Sequence, residues 1–578
     1  MRWIAASTII LLLSTSVWAE CPDFTSTRRP FFGDLHSHSS YSLDAFLIGR
    51  TRNDPWDAYA FAKKEKPLPL TPIENGQPTQ SVEIDRPLDF VAVTDHSEML
   101  GTLTRFIRVQ CSYDGRSCPR GKLEAWENTQ QAANENYDEC NFTTFIAYEY
   151  TKQQVGDPSG VLPNNTQSML HRNVIFRNEH VPLIPFSFLF APNPQILWTL
   201  LDFTCIKSSS GCDVLAIPHS SNLSNGFMFP DYSADNYAAQ RANLQHRFEP
   251  LVEITQHKGA SECQYGEGLS SDEECDFENV NGYGNSGSDN AVLSDSSYVR
   301  SAMKTGLQMQ NKIGVNPYQM GFIGSTDNHN STPGAVKEDI WKGHLGAVED
   351  TTEKRLSVDT KEVFNNPGGL AAVWAEENTR DSIFDALRRR ETYATSGPRM
   401  RVRVFGGWDL PHNLCGQSDW LRTAYTRGVP MGGELGEAPT GKAPSFIIQA
   451  EKDAGGLAHN LERVQIIKGW TDSNGDSHEQ VYDIYGEKVA DSVVDTTTCE
   501  VQTDTGFETA CTGWTDPDFD PTQNAFYYSR VLEVPSCRWS KLDANAAGVE
   551  HPENVHDIVR ERAWTSPIWV SAQGTSML

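Results

Sequence analysis

Short apolar runs that meet an ionisable residue recur along the first two-thirds of the chain. Each run is rich in β-branched and aromatic residues, and a His, Asp or Glu follows it at once or, in one case, opens it. This pattern is typical of buried strands that carry polar groups at one end. The predicted strands are residues 30–35, 89–94, 144–148, 173–176, 214–218, 251–252 and 322–326.

Helical periodicity separates several of these strands, at residues 123–137, 297–312 and 381–390. Strands that alternate with helices predict an α/β fold with a parallel sheet or barrel. In such folds the active site gathers at the C-terminal ends of the strands. Most of the ionisable residues fall at those ends, so pattern and chemistry point to the same edge of the sheet.

The pattern changes near residue 400. Short alternating runs at residues 401–404, 445–448, 464–467 and 526–528 predict a β-rich C-terminal region with a sandwich-like layer. We therefore predict a catalytic domain over residues 20–400 and a second region over 401–578. Two polar insertions, residues 50–86 and 258–296, are predicted to be surface loops.

Length and charge narrow the class of protein. A chain of 578 residues is too long for one ordinary domain, and 38% hydrophobic residues suffice for substantial cores. The net charge of −28 argues against nucleic acid or an anionic membrane as the main partner. It allows an anionic small-molecule substrate, because bound metal ions can reverse the local field.

The N-terminus has the pattern of a secretory signal peptide. Arg2 precedes an apolar run, and the small-residue site at 17–19 predicts cleavage after Ala19. The run is too short for a comfortable membrane anchor. Glu20 makes Cys21 a poor lipidation site. We expect a soluble periplasmic or extracellular protein without stable membrane insertion.

Cysteine usage agrees with export. The sequence has twelve cysteines, an even number, so disulfides are the default in an oxidising compartment. None lies in a CxxC, which argues against a thiolate zinc site. The sequence leaves the connectivity open, but pairs close in sequence are able to staple local loops: Cys111/Cys118, Cys205/Cys212, Cys263/Cys275 and Cys499/Cys511.

The residues at the strand ends are metal ligands by type. In extended chain, residues i and i+2 face the same side, so His36 and His38 can reach one ion, as can Asp327 and His329. Each motif alone is weak. Their repetition past separate strands favours a metal site, and the other candidates are Asp44, His96, Glu149, His171 and His219.

Histidine with carboxylate, and without thiolate, suits Zn, Mn or Fe. The ligands exceed the four that one zinc needs, so we expect two or three divalent metal ions per chain. Multinuclear sites of this kind supply a metal-bound hydroxide and neutralise a transferred group. Hydrolysis of a phosphoester uses them best, so we expect a metal-dependent phosphoesterase with no catalytic side chain beyond that hydroxide.

The ordered motifs resemble the PHP (polymerase and histidinol phosphatase) superfamily over roughly residues 31–400. They also resemble a secreted bacterial branch of it that is catalogued without a function, which residues 394–399 and 561–569 match as well. The motifs are GDLHSH at 33–38, TDHSE at 94–98, YEYT at 148–151, HRNV at 171–174 and GSTDNH at 324–329.

That resemblance implies a distorted (β/α)7 barrel with a trinuclear site. It implies His36, His38, Glu149 and Asp327 on a first ion. It implies Asp44, His96 and His329 on a second, and Glu149 bridging to a third with His171 and His219. Asp44 departs from the histidine of other members, which weakens the second site or favours a harder metal such as Mn.

A few further residues are candidates for orienting ligands or contacting substrate: Asp95, Glu253, His257, Lys258 and Arg172. No nucleophile motif or Gly-rich phosphate loop accompanies them. Two alternatives stay open. The same metals are able to hydrolyse another ester or an amide, since fold does not decide substrate. The second alternative is that the protein is a non-catalytic metal- or ligand-binding protein whose C-terminal region is its interaction module.

Overall fold

The computed structural model describes residues 20–70, 73–74, 77–78, 80–101, 111–155, 167–266, 269–279, 294–455, 458–502 and 504–572. The predicted signal peptide, residues 1–19, lies outside the described residues. Among them, no helix combines the length and apolar character needed to cross a bilayer.

The α-helices are short or of medium length, and α3, α6 and α8 confirm the three predicted from periodicity. Their bounds are Leu43–Leu47 (α1), Pro55–Ala62 (α2), Lys122–Asn136 (α3), Pro194–Leu201 (α4), Ala238–Phe248 (α5), Val299–Ile313 (α6), Thr352–Arg355 (α7), Arg380–Arg388 (α8), Trp420–Arg427 (α9) and Trp539–Ala547 (α10).

All seven predicted strands form. The strands of the first two-thirds are Arg29–Asp34 (β1), Leu68–Pro69 (β2), Ile73–Glu74 (β3), Gln77–Pro78 (β4), Ser81–Val82 (β5), Phe90–Val93 (β6), Thr143–Tyr150 (β7), Gln153–Val155 (β8), Gln167–Met169 (β9), His171–Phe176 (β10), Val214–His219 (β11), Leu251–Gln256 (β12), Gly259–Ala260 (β13), Gly321–Gly324 (β14), Leu370–Ala375 (β15) and Thr392–Thr395 (β16).

The C-terminal region is β-rich, as predicted. Its strands are Arg401–Gly407 (β17), Val429–Pro430 (β18), Glu434–Leu435 (β19), Ser445–Glu451 (β20), Leu461–Thr471 (β21), Ser477–Gly486 (β22), Val494–Asp495 (β23), Glu500–Val501 (β24), Thr509–Thr515 (β25), Ala525–Glu533 (β26), Ser536–Cys537 (β27), Ile558–Val559 (β28), Arg562–Thr565 (β29) and Ile568–Val570 (β30).

A thirteen-stranded mixed sheet spans both regions. The order along it is β11-β10-β7-β6-β1-β15-β16-β29-β26-β21-β22, and β19 and β30 pair beside β26. Strand β16 pairs with β29, so the sheet continues from the first region into the second. The α/β class and the β-rich C-terminus are therefore confirmed.

The expectation of uniformly parallel strands is wrong. Strands β1, β6 and β7 are parallel to one another, but β10 is antiparallel to both β7 and β11, and β15 is antiparallel to β1. After β7 the chain turns back through the antiparallel pair β8 and β9. A connection of this hairpin type reverses the chain direction, whereas a parallel neighbour needs a crossover.

Both faces of these strands are buried, with Ile146 and Tyr148 of β7 in one core and Phe145 and Ala147 in another. Phe145 and Ala147 of β7 lie in one core with Leu215 and Ile217 of β11, and helix α8 packs into the same core. Successive side chains of a strand point to opposite faces. Glu149 therefore continues the inward row of β7, and His219 that of β11.

The insertion at residues 50–86 is not only a surface loop, contrary to prediction. It contains α2, whose Tyr59 and Phe61 are fully buried in a core with Trp126 of α3. Asp54 caps the helix in a reciprocal capping box with Asp57. The polar composition of the insertion hid one short, largely buried helix that packs against α3 and β6.

Six disulfides join the twelve cysteines. Three of the close pairs form as predicted: Cys111–Cys118, Cys205–Cys212 and Cys263–Cys275. The pairing Cys499/Cys511 is wrong, because the fold brings Cys415 to Cys511 and Cys537 to Cys499. Cys21 bonds to Cys140. This density is typical of extracellular or periplasmic proteins.

Candidate metal centre

Two histidine-containing motifs lie side by side at the centre of the site. The segment after β1 and the segment after β14 meet through a parallel bridge between Ser37 and Asn328. Asp327 N donates to His36 O at 2.8 Å, and His38 N donates to Asn328 O at 2.7 Å. Asp327 has φ 53°, a left-handed conformation that is costly for a non-glycine residue. These backbone contacts hold it there.

Four buried side chains converge on one point. His36 Nε2 lies 3.1 Å from Asp327 Oδ1 and 3.5 Å from Glu149 Oε2. His38 Nε2 lies 3.1 Å from each of the same two oxygens. The ligand atoms of all four lie within 4.8 Å of one another. Two imidazoles and two carboxylates thus form a group that could hold a metal ion.

The donor atoms of this group fit a metal ion better than they fit each other. His36 Nε2 and His38 Nε2 are buried and have no hydrogen-bond partner, despite the carboxylate oxygens at 3.1 Å. The atoms are close, but their angles are not those of hydrogen bonds. Buried polar atoms without partners are rare and costly. Lone pairs aimed at a common point are the arrangement expected around a cation.

A second group lies at the more exposed edge of the cluster. Asp44 Oδ2 lies 3.0 Å from His96 Nε2 and 3.2 Å from His329 Nε2. Asp44 is placed by the first turn of α1, and a parallel bridge holds His96 beside Glu149. The structure therefore brings Asp44 to the two imidazoles that the sequence pattern pairs with it.

A third group surrounds the other oxygen of Glu149. His171 Nδ1 lies 2.8 Å and His219 Nε2 3.3 Å from Glu149 Oε1. The remaining ring nitrogens, His171 Nε2 and His219 Nδ1, have no hydrogen-bond partner. His171 opens its strand whereas Glu149 and His219 lie at the ends of theirs. Antiparallel pairing of β10 brings its first residue to their edge of the sheet.

Neighbouring residues orient the imidazoles. Glu253 accepts from His36 Nδ1 at 3.1 Å, which turns His36 Nε2 towards the cluster. His38 Nδ1 lies 2.9 Å from Ser42 Oγ, and Ser42 in turn donates to Asp95 at 2.8 Å. Asp95 does not enter the cluster itself. It acts on His38 through Ser42 and also fixes Ser39.

In the cluster, burial and neighbouring charges shift the pKa values of the carboxylates and imidazoles in opposite directions. Burial would raise the pKa of Glu149 and of Asp327, but the surrounding imidazoles, joined at Asp327 by Lys258, outweigh it and hold both pKa values well below the usual range. Burial, with His36 nearby, lowers the pKa of His219 to about 3. Burial, His329 and His96 lower the pKa of His38. Against its burial, Asp327 and Glu253 raise the pKa of His36 well above its usual range, and Asp44 and Glu149 do the same for His96. Metal ligands must be neutral imidazoles, so metal binding is expected to release protons from these two rings.

Of the remaining candidates, the structure brings His257 and Lys258 to the cluster but not Arg172. His257 Nε2 lies 3.4 Å from Asp327 Oδ2, and Lys258 Nζ contacts both that oxygen and His257. Arg172, by contrast, is on the opposite face of β10 from His171. It is buried and donates to Glu249 at 2.8 Å, so the structure does not bring it to the cluster.

Sequence reasoning missed several participants. His344 stacks on His257 with ring centroids 3.7 Å apart, and Gln256 donates to Asp327 at 3.1 Å. Thr151 Oγ1 lies 2.6 Å from His96 Nδ1. His344 follows no strand, so the strand-end signal did not include it. Gln256 lies next to His257 on β12, where the same signal was available.

Comparisons with known proteins add one family. A family described as "Protein of unknown function (DUF3604)" matches residues 25–114 and 108–572. No curated protein matches the chain. The chain is similar to the crystal structure of a two-domain protein from Bacteroides vulgatus ATCC 8482 that contains a predicted PHP-like metal-dependent phosphoesterase. The two share 12% identity over 88% of this chain and 92% of that one, with a TM-score of 0.31. A likeness at that score carries no argument about fold or activity.

Proposed function

The chain belongs to the DUF3604 family, whose description assigns no function, and we propose that it is a metal-dependent hydrolase that acts on phosphoesters. The observation that carries this proposal is that two buried imidazole nitrogens, His36 Nε2 and His38 Nε2, face carboxylate oxygens at 3.1 Å without hydrogen-bonding to them. A structural ion pair would satisfy its own donors, whereas these two atoms would be satisfied by a cation. The nine clustered residues together offer more ligands than one ion uses.

We assign three groups of ligands in the PHP-type pattern. His36, His38, Glu149 and Asp327 form the first. Asp44, His96 and His329 form the second, and Glu149, His171 and His219 the third. Zn, Mn or Fe suits all three by ligand chemistry, with Asp44 favouring a harder ion in the second group. The PHP-type barrel, and the boundary at residue 400, belong to the same proposal.

Divalent ions held there supply activated water and neutralise the oxygens of a phosphoryl group. The protein orients the metal ligands and provides a positive charge for the substrate. Glu253 and the Ser42–Asp95 pair fix the rings of His36 and His38. Lys258, partly exposed beside Asp327, adds a positive charge at the edge where an anionic substrate arrives. The prediction that the chain is exported with a cleaved signal peptide agrees with six disulfides and is part of this proposal.

Elemental analysis followed by a substrate panel tests the proposal. The purified mature protein is expected to hold two or three divalent ions. With them restored, it is expected to prefer aryl phosphoesters over sulfate and carboxylic esters. His36→Ala is expected to lose metal and to reduce turnover by a factor of about 10³ or more, since its Nε2 is central to the first group.

His180→Ala is the matched control, because His180 is exposed and lies outside the cluster. It is expected to keep metal and turnover. Full activity of His36→Ala would contradict the site. Preference for a carboxylic ester would contradict the proposed substrate class. Stoichiometric metal without turnover of any ester would mean that the protein binds metal but is not a hydrolase.

A further inference from the structure

The two most exposed of the nine proposed ligands, Asp44 and His96, belong to the second group. The side chains of His36 and His38 are 0% exposed, whereas Asp44 is 33% and His96 13% exposed. A substrate therefore meets the cluster at its second group. What surrounds Asp44 and His96 decides which substrates reach it.

Exposed large apolar side chains lie on the segments that carry Asp44 and His96 and on the loop that hydrogen-bonds to Glu98. Their exposure runs from 38% at Phe188 to 73% at Leu189. Consecutive exposed apolar residues are uncommon on soluble proteins unless they bind something. We call this set the apolar rim, and it comprises Leu47, Ile48, Met99, Phe188, Leu189 and Phe190.

Helix α1 places the first part of the rim. Leu47 and Ile48 are three and four residues after Asp44, and Ile48 N donates to Asp44 O at 2.8 Å. Residues at those spacings share one face of a helix. The face that presents the Asp44 carboxylate to His96 and His329 therefore also carries two exposed apolar side chains.

Glu98 places the second part. Its carboxylate accepts from Phe188 N at 2.9 Å and from Thr151 N at 3.2 Å. Thr151 Oγ1 contacts His96 Nδ1, so the loop that carries Phe188 is joined to the cluster through two residues. Met99 follows Glu98 with φ 58°, a strained conformation for its type, and its side chain stays exposed.

A backbone hydrogen bond joins the segments that carry the two parts. Gly101 N donates to Tyr41 O at 3.2 Å, which brings the segment of Met99 to the segment that leads into α1. Lysines flank the outer part of the rim: Lys152 Nζ lies 5.9 Å from the Phe188 ring, and Lys122 Nζ lies 5.6 Å from the Phe190 ring. The surface beside the second group thus combines apolar side chains with positive charge.

We propose that the site takes an amphiphilic phosphoester, with its phosphoryl group at the cluster and a long apolar chain on the rim. This inference rests on the proposed function and narrows its substrate class. The occupant follows from position, because the rim lies on the same segments as the most exposed ligands, and the cation-binding cluster with the flanking lysines selects an anionic head. Burial of an alkyl chain there adds affinity with each methylene.

Binding of alkylphosphonates, which are not hydrolysed, tests the inference apart from turnover. Methylphosphonate and decylphosphonate, below its micelle concentration, are titrated calorimetrically into the metal-loaded full-length protein. Decylphosphonate is expected to bind about tenfold tighter or more. The variants Leu47→Ser/Ile48→Ser and Leu189→Ser/Phe190→Ser are each expected to reduce that ratio severalfold. Val549→Ser and Tyr485→Ser, exposed apolar residues elsewhere, keep it.

The wild-type ratio needs no variant to fold, and circular dichroism checks the variants. Equal affinities, no binding of either phosphonate, or a ratio that the rim variants leave unchanged would overturn the inference and leave the rim to another occupant, such as a protein. Hydrolysis of short esters without chain preference would sink the inference while the proposed function stands. Tighter binding of the long-chain phosphonate without hydrolysis of any ester would support the inference about the ligand and contradict the proposed hydrolase function.

Discussion

Two buried charged clusters in this protein have opposite characters. The first is the histidine–carboxylate cluster around Glu149 and Asp327. The second, which we call the arginine network, consists of Glu262, Asp272, Arg300, Arg530 and Glu479. Arg530 lies 3.1 Å from Glu262 Oε2 and 2.9 Å from Asp272 Oδ2, and Arg300 lies 2.6 Å from Glu262 Oε1. Both clusters are buried, but they satisfy their charges differently.

The arginine network is complete in itself. Tyr528 and Trp564 donate to Glu262, and opposite charges outweigh burial to raise the pKa of Arg530 and lower that of Asp272. In the histidine–carboxylate cluster four buried ring nitrogens have no hydrogen-bond partner, namely His36 Nε2, His38 Nε2, His171 Nε2 and His219 Nδ1. In this protein, a buried charged cluster therefore indicates a candidate functional site when some of its donors and acceptors have no hydrogen-bond partner within the cluster. Three substitutions sharpen this contrast, in order of expected effect.

Arg530→Leu is expected to lower the free energy of unfolding by about 3–5 kcal/mol, because it leaves Glu262 and Asp272 partly unpaired in the interior. Denaturant titration measures it, and elemental analysis of the folded fraction is expected to show unchanged metal. Arg401→Leu, whose guanidinium is 57% exposed, is the control and is expected to change stability by about 0.5 kcal/mol or less. An unchanged free energy of unfolding in Arg530→Leu would contradict the structural role of the network.

Glu479→Gln tests the same network by pH. Burial opposes ionisation of Glu479, but Arg300 and Lys304 outweigh it and lower its pKa to about 2. A depressed folded-state pKa stabilises the protein above the unfolded-state value of about 4.5. That stability is lost as the pH falls from about 4.5 to about 2. The variant is expected to be less stable by about 2–3 kcal/mol at neutral pH.

The difference between Glu479→Gln and wild type is expected to vanish near pH 2, as followed by denaturant titration at a series of pH values. Glu550→Gln, on an exposed segment after α10, is the control with no such pH dependence expected. A difference that persisted at pH 2 would mean that packing rather than charge stabilises the contact of Glu479 with Arg300.

Glu253→Gln addresses the other cluster. Loss of the charged acceptor behind His36 Nδ1 is expected to weaken metal affinity about 10–100-fold, as measured by competition with a chromogenic chelator. The melting temperature of the metal-free protein is expected to change little by comparison with Arg530→Leu. Glu127→Gln, exposed on α3, serves as control. Unchanged affinity would deny Glu253 its orienting role.

Much of the fold was predictable because strand and helix periodicities are local. The strand containing Phe145 and Ala147 and the helix containing Ile383 and Phe384 form where the pattern places them. Most candidate ligands were indicated for the same reason, because they lie at or just after a strand end, whereas Asp44 lies in the first turn of α1 and its role was implied by the resemblance. The structure brings all nine together around the two oxygens of Glu149 and their neighbours.

What escaped prediction depends on contacts between distant segments. The antiparallel direction of β10 follows from a turn, and Cys499 meets Cys537 rather than Cys511 because of tertiary packing. His344 reaches His257 from a loop. The arginine network joins an insertion to α6 and β26. Such partners leave no periodic trace in sequence, so only the folded arrangement identifies them.

The pairing of β16 with β29 has a consequence for any attempt to isolate the first region. A chain that ended at residue 400 would lose the neighbour of β16, whose Tyr393 and Ala394 pair with Thr565 and Trp564. It would expose a row of free backbone donors and acceptors on apolar strands, which is a template for aggregation. The candidate metal centre and the C-terminal strands are thus one unit for expression, although all nine proposed ligands lie before residue 400.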